Sequence, residues 1–171
     1  MDKDLIQKIA LDLNYPDIID LCLSSKRMNQ FVCQNEFFWI NKIKKDYNYQ
    51  PSLEKLNIDY PLIFEKYQFK QISKADLYRR VYIRMSSRLL DIRIETNNLE
   101  YFDSYEFYYP KWLSNEALIE ILYDSFVETL TQYNITHIAP IEFDDIPYFG
   151  GLKFVLENYF SPLIKKNASK S

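Results

Sequence analysis

The side chains able to do chemistry are few and poorly grouped. His137 is the one histidine in 171 residues, so a His-pair zinc site cannot form, and no Ser, Cys or Asp around it stands in a nucleophile motif. Glu142, Asp144 and Asp145 precede Ile146-Pro147 and carry the oxygen chemistry a hard cation needs. They lack the further spaced ligands and the loop glycine of a calcium site, and so read as an exposed acidic loop. The only two glycines are adjacent, at 150 and 151, which excludes a phosphate-cradling loop. Cys22 and Cys33 fall in apolar helical contexts and are expected to be small buried hydrophobes, neither reactive nor metal-bound, since two cysteines make no disulfide framework. No catalytic residue, metal or cofactor is assigned, and the chain is expected not to be an enzyme.

Binding chemistry is better represented. Arg80, Arg84 and Arg88 recur at every fourth position, a spacing at which like charges on a helix repel by a few tenths of a kcal/mol per pair. Glu120, Asp124 and Glu128 repeat the spacing with opposite sign. Either stripe is a solvated face or it meets complementary charge, the economical arrangement being stripe against stripe, within one fold or across a homodimer. Tyr101, Phe102, Tyr105, Phe107, Tyr108, Tyr109 and Trp112 crowd a third segment. Most belong in a core with phenolic oxygens reaching outward; Tyr108, Tyr109 and Trp112 are the candidates for a recognition surface. Glu100, Asp103 and Glu106 lie among them and repel phosphate, which disfavours nucleic acid as a partner.

The elements that must position these residues are mainly helical. Leu5, Ile6, Ile9 and Leu13 recur at helical spacing and are expected on one face. Pro16 suits the first turn of a second helix, whose Ile18, Ile19, Leu21, Cys22 and Leu23 predict burial between neighbours. Asn35 is a natural N-cap for a helix from Glu36 to Tyr47, with Lys42, Lys44 and Lys45 in its later turns, where cations are favoured. Pro51 begins a break. Pro61 opens a helix to about Ile72, and Ser73 or Lys74 another through Leu77, Val81 and Met85. Leu90, Ile92 and Ile94 alternate with charged residues as a short strand that Asn97-Asn98 turns back toward Leu99 to Phe102. Ser114 caps a long helix from Asn115 to Tyr133 with Leu118, Leu122, Phe126 and Leu130 as its apolar stripe. A last helix runs from about Gly151 to Phe160, ahead of Pro162.

Positions 4 to 47 also resemble a known family pattern. Asp4-Leu5-Ile6 and Ile9 stand where the first helix of an F-box begins, Leu13 where it ends, and Asp17-Ile18 at the restart. Ser25-Lys26-Arg27-Met28 occupies the step from a small residue through a basic one to the internal Trp, and Asn35-Glu36-Phe37-Phe38-Trp39 matches the closing step, continued by Ile43 and Tyr47. Met1-Asp2 stands in place of the opening Leu-Pro, and Met28 in place of the Trp. The stretch resembles the F-box family, in particular the short divergent F-box-like proteins of large DNA viruses. That resemblance implies a three-to-four-helix module over residues 1–49 that binds a Skp-type adaptor of a cullin ubiquitin ligase through Leu5, Ile9, Pro16, Ile18 and Leu21. Residues 50–171 would then be a helical domain with a short sheet that presents a surface to a protein client the sequence does not identify. The fold class expected is mainly α with a minor β component.

Composition agrees with a globular chain. Hydrophobic residues make up 47% and aromatics 17%, enough to build a core. Residues 165–171 are expected to be a disordered tail. Met1-Asp-Lys-Asp lacks the basic start and apolar run of a signal peptide, and no run approaches 18 apolar residues, so a cytoplasmic protein without membrane contact is expected. Residues 1–94 hold 16 Lys+Arg against 12 Asp+Glu, and residues 95–171 hold 5 against 12. Either the two halves attract each other or each takes a partner of opposite sign. Two functions remain open: a non-catalytic adaptor that tethers a client to a ligase, or a structural, self-associating protein, such as one of a viral particle, with the same fold and no ligase link.

Overall fold

Short polar residues start nearly every helix. In the computed structural model, which describes residues 2–89, 94–95, 107–133 and 137–138, Asp2, Asn14, Ser25, Asn35, Ser52, Ser73 and Ser114 each accept a hydrogen bond from the backbone N–H three residues on. Each bond satisfies a donor that the first helical turn leaves without a partner. The helices so started are α1 (Lys3–Leu11), α2 (Tyr15–Ser24), α3 (Lys26–Phe31), α4 (Glu36–Tyr47), α5 (Leu53–Asp59), α7 (Lys74–Met85) and α8 (Asn115–Tyr133). The remaining one, α6 (Pro61–Lys70), has no side-chain cap and begins instead on Pro61, which has no N–H to satisfy. The described chain is thus mainly helical.

With no glycine before position 150, helix ends must use other residues. α4 is followed by Asn48 and α6 by Gln71, both in the left-handed region at φ 51°. Asn tolerates that conformation; Gln does so at a cost.

The chain divides into two units, residues 1–86 and 87–171. In the first, α4 packs most extensively on α7 and also on α1, α2 packs on α3, and α6 joins α5 to α7. One apolar core runs through all of them: Ile6 and Ala10 of α1, Ile18 of α2, Phe38, Trp39 and Ile43 of α4, Leu56 of α5, Ile63 of α6, and Leu77 and Val81 of α7. A boundary at residues 49 and 50 would cut through this core. α7 packs on α4, with the Tyr82 ring beside that of Trp39, and α6 packs on both α5 and α7. α5 itself was hidden by Pro51, which lies just ahead of its Ser52 cap.

In the second unit α8 buries Leu118, Ile121, Asp124 and Ser125, with Leu113 just ahead of it. Its boundaries and its Ser114 cap are those the sequence predicts. Two antiparallel pairings of two residues each accompany it: β1 (Arg88–Leu89) with β3 (Phe107–Tyr108), and β2 (Ile94–Glu95) with β4 (His137–Ile138). The expected turn at Asn97-Asn98, the acidic group at 142–145, the helix at 151–160 and the tail at 165–171 lie outside the described residues.

Candidate partner-docking surface

α1 presents two faces. Ile6 and Ala10, four apart, enter the core, whereas Leu5 and Ile9, also four apart, are each 46% exposed. One residue on a helix is about 100° of rotation. The single face expected for Leu5, Ile6 and Ile9 is therefore split, Ile6 turning to the core while Leu5 and Ile9 form a separate apolar pair one turn long, open to solvent. Leu13 lies beyond the helix and packs at the core's edge.

The other residues expected beside that pair divide. Pro16 and Leu21 are half-buried. Ile18 is wholly buried, because at i+4 it shares the inward face of α2 with Cys22. Leu23, on the other side of α2, is 80% exposed, so this helix is buried on one face only and is not enclosed between neighbours.

A lysine fixes the end of α1. Lys42 of α4 is buried and donates from Nζ to the carbonyl oxygens of Leu11 at 2.8 Å and Leu13 at 2.7 Å. A cation here meets the negative end of the α1 dipole and satisfies carbonyls with no intrahelical donor. The same ammonium pairs with Asp46 at 3.0 Å, and Asp46 accepts at 2.6 Å from the Tyr82 hydroxyl of α7. Three helices are thus joined through one ammonium. Outside this network Lys45 pairs with Asp12, which holds the Asp12 carboxyl below its usual range. Trp39 adds packing: it is wholly buried among Tyr15, Phe38 and Tyr82, and its indole N–H donates to the Cys33 carbonyl at 2.9 Å. Burial and the bond to Asp46 push the Tyr82 phenol up; burial and a bond to Asp59 do the same for Tyr49.

The cysteines depart from expectation. Cys22 and Cys33 are bonded to each other, with Cα atoms 6.2 Å apart, because α2 and α3 fold back on each other and bring the end of one beside the residues that follow the other. The bond borders a cleft of about 340 Å³ that Asn29, Gln34, Asp76 and Arg79 also line.

The charged stripes are less uniform than their spacing predicts. Arg80 and Arg84 are half-buried on α7, with the Arg84 guanidinium 5.8 Å from the centre of the Tyr60 ring; Arg88 enters β1. On α8 Glu120 is exposed, Glu128 is half-buried and Asp124 is buried. The acidic stripe is therefore not one open face, since every fourth position drifts around a helix of 3.6 residues per turn. Tyr108 lies in β3 opposite Arg88, and Tyr109 and Trp112 are half-buried. Among the described residues no helix is long and apolar enough to cross a membrane. No protein family, curated protein or solved structure matches the chain.

Proposed function

We propose that the chain is a non-catalytic adaptor of F-box-like type, which docks a Skp-type adaptor of a cullin ubiquitin ligase and holds a protein client beside it. The observation that carries the reading is the solvent-facing pair Leu5 and Ile9, on the first helix of a stretch whose order of residues resembles the F-box. Its C-terminal end is held by Lys42, so the pair is presented by an anchored helix. Tethering needs no catalytic residue: it acts by raising the client's effective concentration at the ligase. Ile18 takes no part in docking and serves the core that holds α2. Calorimetric titration with a Skp-type adaptor tests this. Wild-type chain should bind, and Leu5→Asp with Ile9→Asp should abolish binding at unchanged thermal stability; a wild type that does not bind refutes the proposal.

A second reading, a structural protein that associates with itself, is favoured by Leu23, Phe37, Ile58 and Phe69, all large, apolar and mostly exposed. They lie on four different helices, and covering them between copies would remove apolar area from water. Sedimentation over a concentration series separates the two: a monomer throughout leaves the adaptor reading standing alone.

A further inference from the structure

The cleft at the disulfide is independent of the docking pair on α1. Its wall holds a sulfur–sulfur bond, a cation, an anion and two carboxamides, all from the first unit: Cys22 and Cys33, Arg79, Asp76, Asn29 and Gln34. Arg79 donates to Asp76 at 3.1 Å and to the Tyr15 hydroxyl at 3.3 Å. A guanidinium has five N–H donors, more than these contacts use. The two charged side chains are 32% and 45% exposed, within reach of a solute. Of the two cysteines Cys22 is buried and Cys33 only half-buried, so access from the cleft favours Cys33.

We propose that this cleft is a thiol–disulfide exchange site for a small zwitterionic peptide thiol, the class to which glutathione belongs. Arg79 receives a carboxylate, Asp76 the ammonium, and Asn29 and Gln34 the peptide groups; a volume of about 340 Å³ lies in the range of small-ligand pockets. The incoming thiolate attacks Sγ of Cys33. A bond forms between the two sulfurs, the Cys22–Cys33 bond breaks, and Cys22 leaves with the electron pair and takes a proton from solvent. A second thiolate then attacks the ligand's sulfur in the mixed disulfide, releasing Cys33 as a thiolate that is protonated in turn and the ligand as its own disulfide. The protein bond gains two electrons, and two ligand thiols lose them. In the reverse direction the oxidised ligand closes the bond and ties α2 to the residues after α3.

The test uses the full, oxidised chain with glutathione and with 2-mercaptoethanol, a thiol that carries no charge besides its thiolate. Reactions are quenched by alkylation and read by intact mass and peptide mapping. The expected result is a single-tripeptide adduct on Cys33 and, in Arg79→Gln, a rate with glutathione lowered about tenfold while that with 2-mercaptoethanol holds, a loss on the scale of one charge-assisted hydrogen bond. Taking the ratio of the two thiols removes their intrinsic nucleophilicities. In the wild type, added salt should slow glutathione selectively, which keeps the test open should Arg79→Gln fold poorly. An adduct on Cys22, equal effects on both thiols, or exchange only in denaturant overturns the proposal.

Discussion

Replacing Lys42 by Met separates the electrostatic role of this residue from its packing. Met keeps most of the stem's volume, so the loss is confined to the ammonium and its contacts, two carbonyl oxygens at 2.7 and 2.8 Å, Asp46 at 3.0 Å and the Tyr82 ring, whose centre is 5.9 Å away. Exchanging a buried ion pair for apolar residues is often neutral when both partners are replaced. Here only one is. The Leu11 and Leu13 carbonyls lose their donor at the end of α1, and each hydrogen bond to a charged group is worth about 1.5–3 kcal/mol. Asp46 loses its cation but keeps the Tyr82 hydroxyl and is 28% exposed, so its added penalty is small. Rehydration of the two carbonyls, which belong to half-buried residues, offsets part of the rest. The net loss expected is about 2–4 kcal/mol, a fall of roughly 10–20 °C in thermal midpoint for a unit of this size. Equilibrium denaturation of wild type, Lys42→Met, Asp46→Asn and the double variant measures it and isolates the Lys42–Asp46 coupling. Hydrogen exchange should show α1 opening more than α7. A Lys42→Met chain within about 0.5 kcal/mol of wild type, the range of an ordinary surface substitution, would refute the reasoning.

Three further outcomes are expected. Trp39→Ala should cost about 3–5 kcal/mol, because the ring is wholly buried and its N–H is bonded; an unchanged denaturation midpoint would remove Trp39 from the core. Tyr47, Tyr49, Tyr78 and Tyr82 all have phenols pushed above the ordinary value of 10.0, chiefly by burial. Each keeps its proton to higher pH when folded than when unfolded, so this stabilisation is complete below that value and is lost as pH rises through the raised one. Tyrosinate absorbance and circular dichroism followed together should show these phenols ionising with unfolding, not ahead of it. Gln71→Gly should stabilise by roughly 0.5–1 kcal/mol, since Gln71 sits at φ 51°, where a side chain is penalised and glycine is not; a destabilised variant would mean that the Gln71 side chain contributes more than its conformation costs.

What the sequence revealed and what it hid divide by the range of the physics involved. Helix starts are local: a short polar side chain bonds an N–H three residues away, so Asn35 and Ser114 were legible as caps, and Ser73 as one of two starts, before any fold was known. Helical periodicity is local as well, but it names a stripe without fixing its width. Leu5 and Ile9 were therefore grouped with Ile6, although only Ile6 faces the core, and Ile18 was counted as a docking residue when its side chain was needed inside. Pairing across the chain is not local. Cys22 and Cys33 read as two separate small hydrophobes until the fold of α2 on α3 brought them together. Lys42 read as a cation complementing the end of its own helix, yet it lies 31 residues from Leu11 and complements α1 instead. A buried lysine is costly unless charge and hydrogen bonds surround it, and here the partners come from the end of α1 and from Asp46, itself bonded to α7. That cost makes the arrangement specific, because α1 slipped by one turn would leave the ammonium buried without its two carbonyls. Leu5 and Ile9 owe their outward position to the same constraint, since the lysine that fixes where α1 ends also fixes which of its residues the core can take.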